Sequence, residues 1–111
     1  MREIDAAQIT RVVRDLCIET NRALPKDLEE EIRSGAKRDT CPMAQAIFGD
    51  LCANLDAARA LTLPVCQDTG MAVIFAEVGQ DVHIQGDFEA AVNEGVRLGY
   101  TEGLLRCSAV S

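Results

Sequence analysis

Four consecutive side chains with reactive or coordinating chemistry, Cys66-Gln67-Asp68-Thr69, stand between Pro64-Val65 and Gly70. A thiolate acts as a nucleophile or a metal ligand, a carboxylate moves protons, and an amide orients a polar substrate. Loops that lead directly into strands commonly build sites, and the almost wholly apolar run at 71–78 reads as a strand buried on both faces. The same residues also read as a tight turn, in which Asp68 and Thr69 bond their own backbone and Gly70 supplies a positive φ. Composition alone leaves both readings open.

The second residue of interest is Arg106. The chain of 111 residues carries a formal net charge of -7 and a pI near 4.6, so an anionic substrate would need a local positive centre against that background. On charge alone, Arg106 reads as a surface ion-pair partner in an acidic protein. His83 reads as an exposed strand residue. The five cysteines, Cys17, Cys41, Cys52, Cys66 and Cys107, show neither a CxxC nor a zinc-type spacing, and most are expected to be buried thiols.

The elements that must hold these residues follow from local pattern. Asp5 and Gln8 have capping-box spacing ahead of Ile9, Val12, Val13 and Leu16, which predicts a helix over 6–23. Leu24-Pro25 breaks it, Pro25 opens a second helix with acidic residues in its first turns, and Ser34-Gly35 is expected to end that helix. Thr40 is the expected cap of a third helix whose face is marked by Ile47, Leu51, Leu55 and Ala58. Gly79-Gln80-Asp81 then predicts a turn, Val82-His83-Ile84 a short return strand, and Asp87 the cap of a helix over 88–102. On that helix Gly95 and Gly99 each cost about 1 kcal/mol of propensity against alanine, so a close-packed neighbour is expected to face them. Gly103 sits where a helix-ending glycine belongs, and the ending from Leu104 to Ser111 reads as a strand or loop cut off before its neighbours.

The fold expected is therefore α/β: a helix-rich first half at 1–62, then a small mixed sheet and a packed helix at 63–111 that includes the Cys66 loop, together an incomplete domain. With 48% hydrophobic and 26% charged residues the composition is that of a folding, soluble chain. The acidic balance argues against nucleic acid. The amino terminus has no apolar signal region and no window suits a membrane span, so a cytoplasmic location is expected.

Cys66-Gln67-Asp68-Thr69-Gly70 followed by the apolar run, Gly79-Gln80-Asp81-Val82, the glycine-containing helix Asn93-Glu94-Gly95-Val96-Arg97-Leu98-Gly99-Tyr100, and Leu105-Arg106-x-Ser108 together resemble the amino-terminal region of class I fumarases and the alpha subunit of L-tartrate dehydratase. The resemblance covers essentially the whole chain. It implies an iron-sulfur hydro-lyase acting on a four-carbon dicarboxylate, fumarate/malate or tartrate/oxaloacetate, with a 4Fe-4S cluster held by three cysteines and one iron open to substrate. Cys66 matches one cluster ligand, Gln67 and Asp68 would line the substrate pocket, Asp68 would handle a proton or orient another group, and Arg106 would grip a carboxylate. An iron with a free position acts as a Lewis acid on a departing hydroxyl. Cys17, Cys41, Cys52 and Cys107 match no ligand position, so the chain alone is expected to be inactive and to need the remainder of the enzyme or a beta subunit. Uncovered apolar surface would then favour a homo-oligomer. The alternative is a non-catalytic α/β interaction or partner-subunit domain; a helical bundle without a site is the third reading.

Overall fold

The computed structural model describes residues 1–106. The chain runs β1 (Arg2–Asp5), α1 (Ala6–Arg22), α2 (Lys26–Arg38), α3 (Pro42–Leu61), β2 (Val82–Gln85) and α4 (Phe88–Glu102). Each strand leads straight into a helix through an aspartate cap. Asp5 Oδ1 accepts the Ala7 N–H at 2.9 Å, and Asp87 Oδ1 accepts the Ala90 N–H at 3.0 Å, satisfying amide groups that a helix start leaves open. The two strands pair in parallel, Arg2 with Val82 and Ile4 with Ile84.

These two βα units close on each other through α1 and α4. Gly95 and Gly99 are the reason the helices can approach: an added Cβ at Gly95 would lie 2.7 Å from both the Thr10 carbonyl oxygen and Val13 Cβ, and one at Gly99 would lie 2.7 Å from Cys17 Cβ. The Thr10 hydroxyl also donates to the Ala91 carbonyl at 2.9 Å. Val13, Cys17 and Leu105 are buried in this seam, with Ile9, Val92, Val96 and Tyr100 packed against them. Burial pushes the Cys17 thiol pKa up, as suits a core thiol.

Helices α2 and α3 form an arm. The expected end of α2 at Ser34-Gly35 is overturned: the helix runs on to Arg38, and Gly35 instead makes room for the Phe48 ring, which stands 2.9 Å from the position of its missing Cβ. The cap of α3 is Cys41 and not Thr40; the Cys41 N–H is bound by Asp39 Oδ1 at 2.8 Å, and Pro42 takes the first turn. Glu29 ties the arm together, meeting Arg33 at 3.0 Å and Arg59 at 3.1 Å, while Arg33 reaches Asp56 at 2.7 Å. Of the expected α3 stripe, Leu55 and Ala58 are buried, but Ile47 and Leu51 are exposed.

The sheet differs from expectation in two ways. The return strand at Val82–Gln85 forms, with His83 exposed, but its partner is β1 at the amino terminus, so the sheet is two-stranded and parallel rather than mixed. The run at 71–78 is not a buried strand. It has no regular structure, and Met71, Val73 and Phe75 are 72%, 68% and 93% exposed. No neighbour among the described residues pairs with its edges, so its apolar side chains have nothing to pack between. No helix of the described residues is long and apolar enough to cross a membrane.

Candidate functional site

The Cys66 loop is a short bridge hung between two anchors. At its start both backbone groups of Val65 are taken: its N–H donates to the Asn21 carbonyl at the end of α1, and its carbonyl accepts from Asn54 Nδ2 on α3, both at 2.7 Å. Asn21 is itself held, its Nδ2 donating to the Cys17 carbonyl at 2.8 Å. Backbone groups satisfied on both sides leave little freedom at this point.

The second anchor is Thr69, buried although its neighbours Cys66, Gln67 and Asp68 are exposed. Its hydroxyl donates to the Arg106 carbonyl at 2.9 Å and accepts the Arg106 N–H at 2.8 Å, joining residues 37 apart in sequence. The Tyr100 hydroxyl, on α4, reaches the carbonyls of Thr69 at 3.3 Å and Gly70 at 3.4 Å. Between these contacts Asp68 Oδ1 accepts the Gly70 N–H at 3.0 Å, and Gly70 sits at φ 63°, a left-handed conformation that glycine adopts without a Cβ clash. The turn reading is thus right for Asp68 and Gly70. It is wrong for Thr69, which bonds Arg106 rather than its own backbone.

Arg106 arrives by a strained route. After the Gly103 cap, Leu104 takes φ 58°, uncommon for a residue with a branched side chain. Such a conformation costs about 1–3 kcal/mol and persists where its surroundings over-determine it. Here the surroundings are the buried Leu105, whose N–H donates to the Tyr100 carbonyl at 3.0 Å, and the Thr69 hydroxyl beyond it. The Arg106 side chain is exposed, and no ion pair among the described residues uses it. The surface ion-pair reading of Arg106 therefore has no partner among the described residues.

The structure thus brings the expected site residues to one end of the α1–α4 pair. Cys66, Gln67 and Asp68 occupy the exposed span, and Arg106 is bonded through its backbone to the next residue. A cleft of about 440 Å³ lies between α1 and the run at 71–75, with Val13, Leu16, Thr69, Met71 and Tyr100 among its walls; Cys66, Gln67, Asp68 and Arg106 do not line it. Of the other cysteines, Cys17 is a core thiol that also lines this cleft, Cys52 is half-buried on α3, and Cys41 is exposed at the start of α3, where the amides of Ala44 and then Met43 hold its thiol below the usual range. Cys107 and Ser108 lie outside the described residues. Among the described residues no three His, Cys, Asp or Glu side chains gather to hold a metal ion. Those residues alone therefore do not fit an iron-sulfur cluster, which needs more thiolates than Cys66.

Sequence reasoning missed the three residues outside this loop that position it. Asn21 and Asn54 sit in helices as polar side chains with no local signal of a distant partner. Tyr100 was legible as an apolar position of α4, and its hydroxyl was the unused clue, since a half-buried tyrosine usually finds an acceptor.

Residues 10–111 match the family model described as fumarate hydratase (Fumerase). The chain is 24% identical over 103 residues to the L(+)-tartrate dehydratase subunit alpha of Escherichia coli strain K12, covering 93% of this chain and 34% of that protein. It is 25% identical over 105 residues to a putative L(+)-tartrate dehydratase subunit alpha of Methanocaldococcus jannaschii, covering 93% of this chain and 37% of that one. The chain spans about a third of the length of these curated relatives. No solved structure matches it significantly.

Proposed function

The chain belongs to the fumarate hydratase family, and from that premise we propose that it supplies one part of the active site of a hydro-lyase that reversibly adds or removes water on a four-carbon dicarboxylate. The candidate pairs are fumarate with malate and tartrate with oxaloacetate. The observation that supports the reading is the pair of hydrogen bonds between Thr69 and the backbone of Arg106, which holds Arg106, a residue with an exposed side chain, next to a loop carrying a thiol, an amide and a carboxylate.

In this reading Arg106 binds one substrate carboxylate through its two parallel N–H groups. Gln67 and Asp68 line the pocket next to it. Asp68 Oδ1 is engaged by the Gly70 N–H, which orients the carboxylate and leaves Oδ2 to exchange a proton or to hold a proton-carrying group supplied from outside the described residues. Proton removal next to a carboxylate builds negative charge on it, and a cation already in place there lowers the barrier. Cys66, exposed on the bridge, is proposed as one thiolate ligand of a 4Fe-4S cluster, the other ligands coming from outside the described residues. The remainder of the enzyme or a beta subunit is the proposed partner, and the exposed side chains of Met71, Val73 and Phe75 support a need for one. The same exposed run favours the second reading, a non-catalytic interaction or partner-subunit domain, and would also support a homo-oligomer. A cytoplasmic location is part of the proposal, as is the absence of a membrane or nucleic-acid partner.

The test is a titration of the reduced chain with fumarate and with L-tartrate, followed by amide and guanidinium NMR shifts, with acetate as a control. Saturable shifts at Cys66–Thr69 and Arg106 are expected with the diacids, and Arg106→Gln is expected to weaken them at least about tenfold, since a charged hydrogen bond contributes about 1.5–3 kcal/mol. Diacids that leave Arg106 and the loop unmoved would contradict the site and favour the interaction domain.

A further inference from the structure

We propose that Thr69 is a positioning residue whose hydroxyl fixes the spacing between the Arg106 backbone, from which the guanidinium extends, and the Cys66–Asp68 span, and thereby sets the length of diacid the site accepts. The proposal rests on the reading of Arg106 as the carboxylate grip. A threonine hydroxyl offers one donor and two acceptor sites. Here the donor goes to the Arg106 carbonyl and one acceptor to the Arg106 N–H, so a single side-chain atom holds both backbone groups of one residue. Nothing else in the described structure holds Arg106 directly: α4 has ended at Glu102, Leu104 is in the left-handed region, and the preceding contact is the Leu105 N–H on Tyr100. On the other side, Thr69 is one residue from Asp68 and three from Cys66. Its own carbonyl is met by the Tyr100 hydroxyl at 3.3 Å, which ties the loop to α4 as well.

This linkage differs from ordinary core packing in what its loss would do. Thr69→Val keeps the side chain's shape in its buried pocket, so the packing stays and the loss falls on the two part-buried Thr69–Arg106 hydrogen bonds. The Arg106 backbone would no longer be held at a set distance from the loop, and a diacid one carbon longer could then be held as well as a four-carbon one. Thr69→Ser keeps the hydroxyl and should keep the selectivity.

The experiment uses the full 111-residue chain and two readouts. The first is hydrogen exchange of the Arg106 amide. Thr69→Val is expected to speed it about tenfold, the equivalent of one hydrogen bond of about 1.4 kcal/mol, while the amides of α1 exchange as before and Thr69→Ser stays near the parent. The second is the ratio of affinities for fumarate and a five-carbon unsaturated diacid, read from the same shifts. Thr69→Val is expected to bring that ratio towards one, and Thr69→Ser to restore it. An Arg106 amide exchanging at the parental rate in Thr69→Val, or an unchanged ratio, overturns the proposal. Failure of Arg106→Gln to weaken diacid binding would instead sink the carboxylate-grip reading and the selectivity argument built on it, so the two failures are told apart.

Discussion

Gly99 shows how a single residue's cost is decided by its neighbours. Alanine there would gain about 1 kcal/mol of helix propensity. Its Cβ would, however, lie 2.7 Å from Cys17 Cβ and 3.0 Å from the Arg14 carbonyl oxygen, against a helix backbone that cannot move aside alone. Overpacking of this kind costs about 1–3 kcal/mol. Gly99→Ala is therefore expected to destabilise the chain by about 1 kcal/mol net, read from urea unfolding; a variant more stable than the parent would show that α1 and α4 are not in contact there. The need for a close neighbour was legible from two glycines four apart on one helix. Thr69 was not legible in the same way, because a hydroxyl that bonds its own turn and one that bonds a residue 37 positions away look identical in sequence. Cys66, Gln67, Asp68 and Arg106 were picked out by the family resemblance, with chemistry that suits it, while the groups that hold them were hidden in ordinary helix positions.

The helices were legible because their caps and apolar spacing are local. Asp5 and Asp87 stand where a cap is needed, and α1 and α4 follow within a residue of expectation. The run at 71–78 failed for the opposite reason: a strand needs edges to pair with, and sequence reports its apolarity but not its partners. The missed β1 is four residues long, too short for a pattern, and exists through its register with β2. The arm of α2 and α3 depends on charge as well as packing. Arg33 first, then Arg59, hold the Glu29 carboxyl below its ordinary range. A carboxylate depressed in the folded state stabilises above its unfolded pKa, and that contribution is lost as pH falls through the lowered value. Glu29→Gln is therefore expected to loosen the arm at neutral pH, and the difference from the parent to vanish as the solution is acidified past the glutamate range. Amide exchange within α2 and α3, compared at pH 7 and near pH 3, checks the sign; a variant whose deficit grows on acidification would contradict it.

At the level of the whole chain, the radius of gyration is 17.8 Å and the extents are 57 × 29 × 26 Å. A compact domain of this length would have a radius near 13 Å, roughly. The arm and the exposed run account for the excess, and the family relatives are about three times as long as the matched segment. On the proposed reading, the chain lends a loop, an arginine and a helix pair to a larger catalytic body. The most direct measurement replaces the matched residues of the Methanocaldococcus jannaschii relative with this chain, in the presence of its companion subunit. Water addition to fumarate and water removal from L-tartrate are then assayed anaerobically, alongside iron content, with and without Cys66→Ser. The prediction is that the chimera with Cys66 binds iron and turns over one of these diacids, and that Cys66→Ser loses both properties with unchanged circular dichroism. A Cys66→Ser chimera that retains its iron and its activity would contradict the role assigned to this loop.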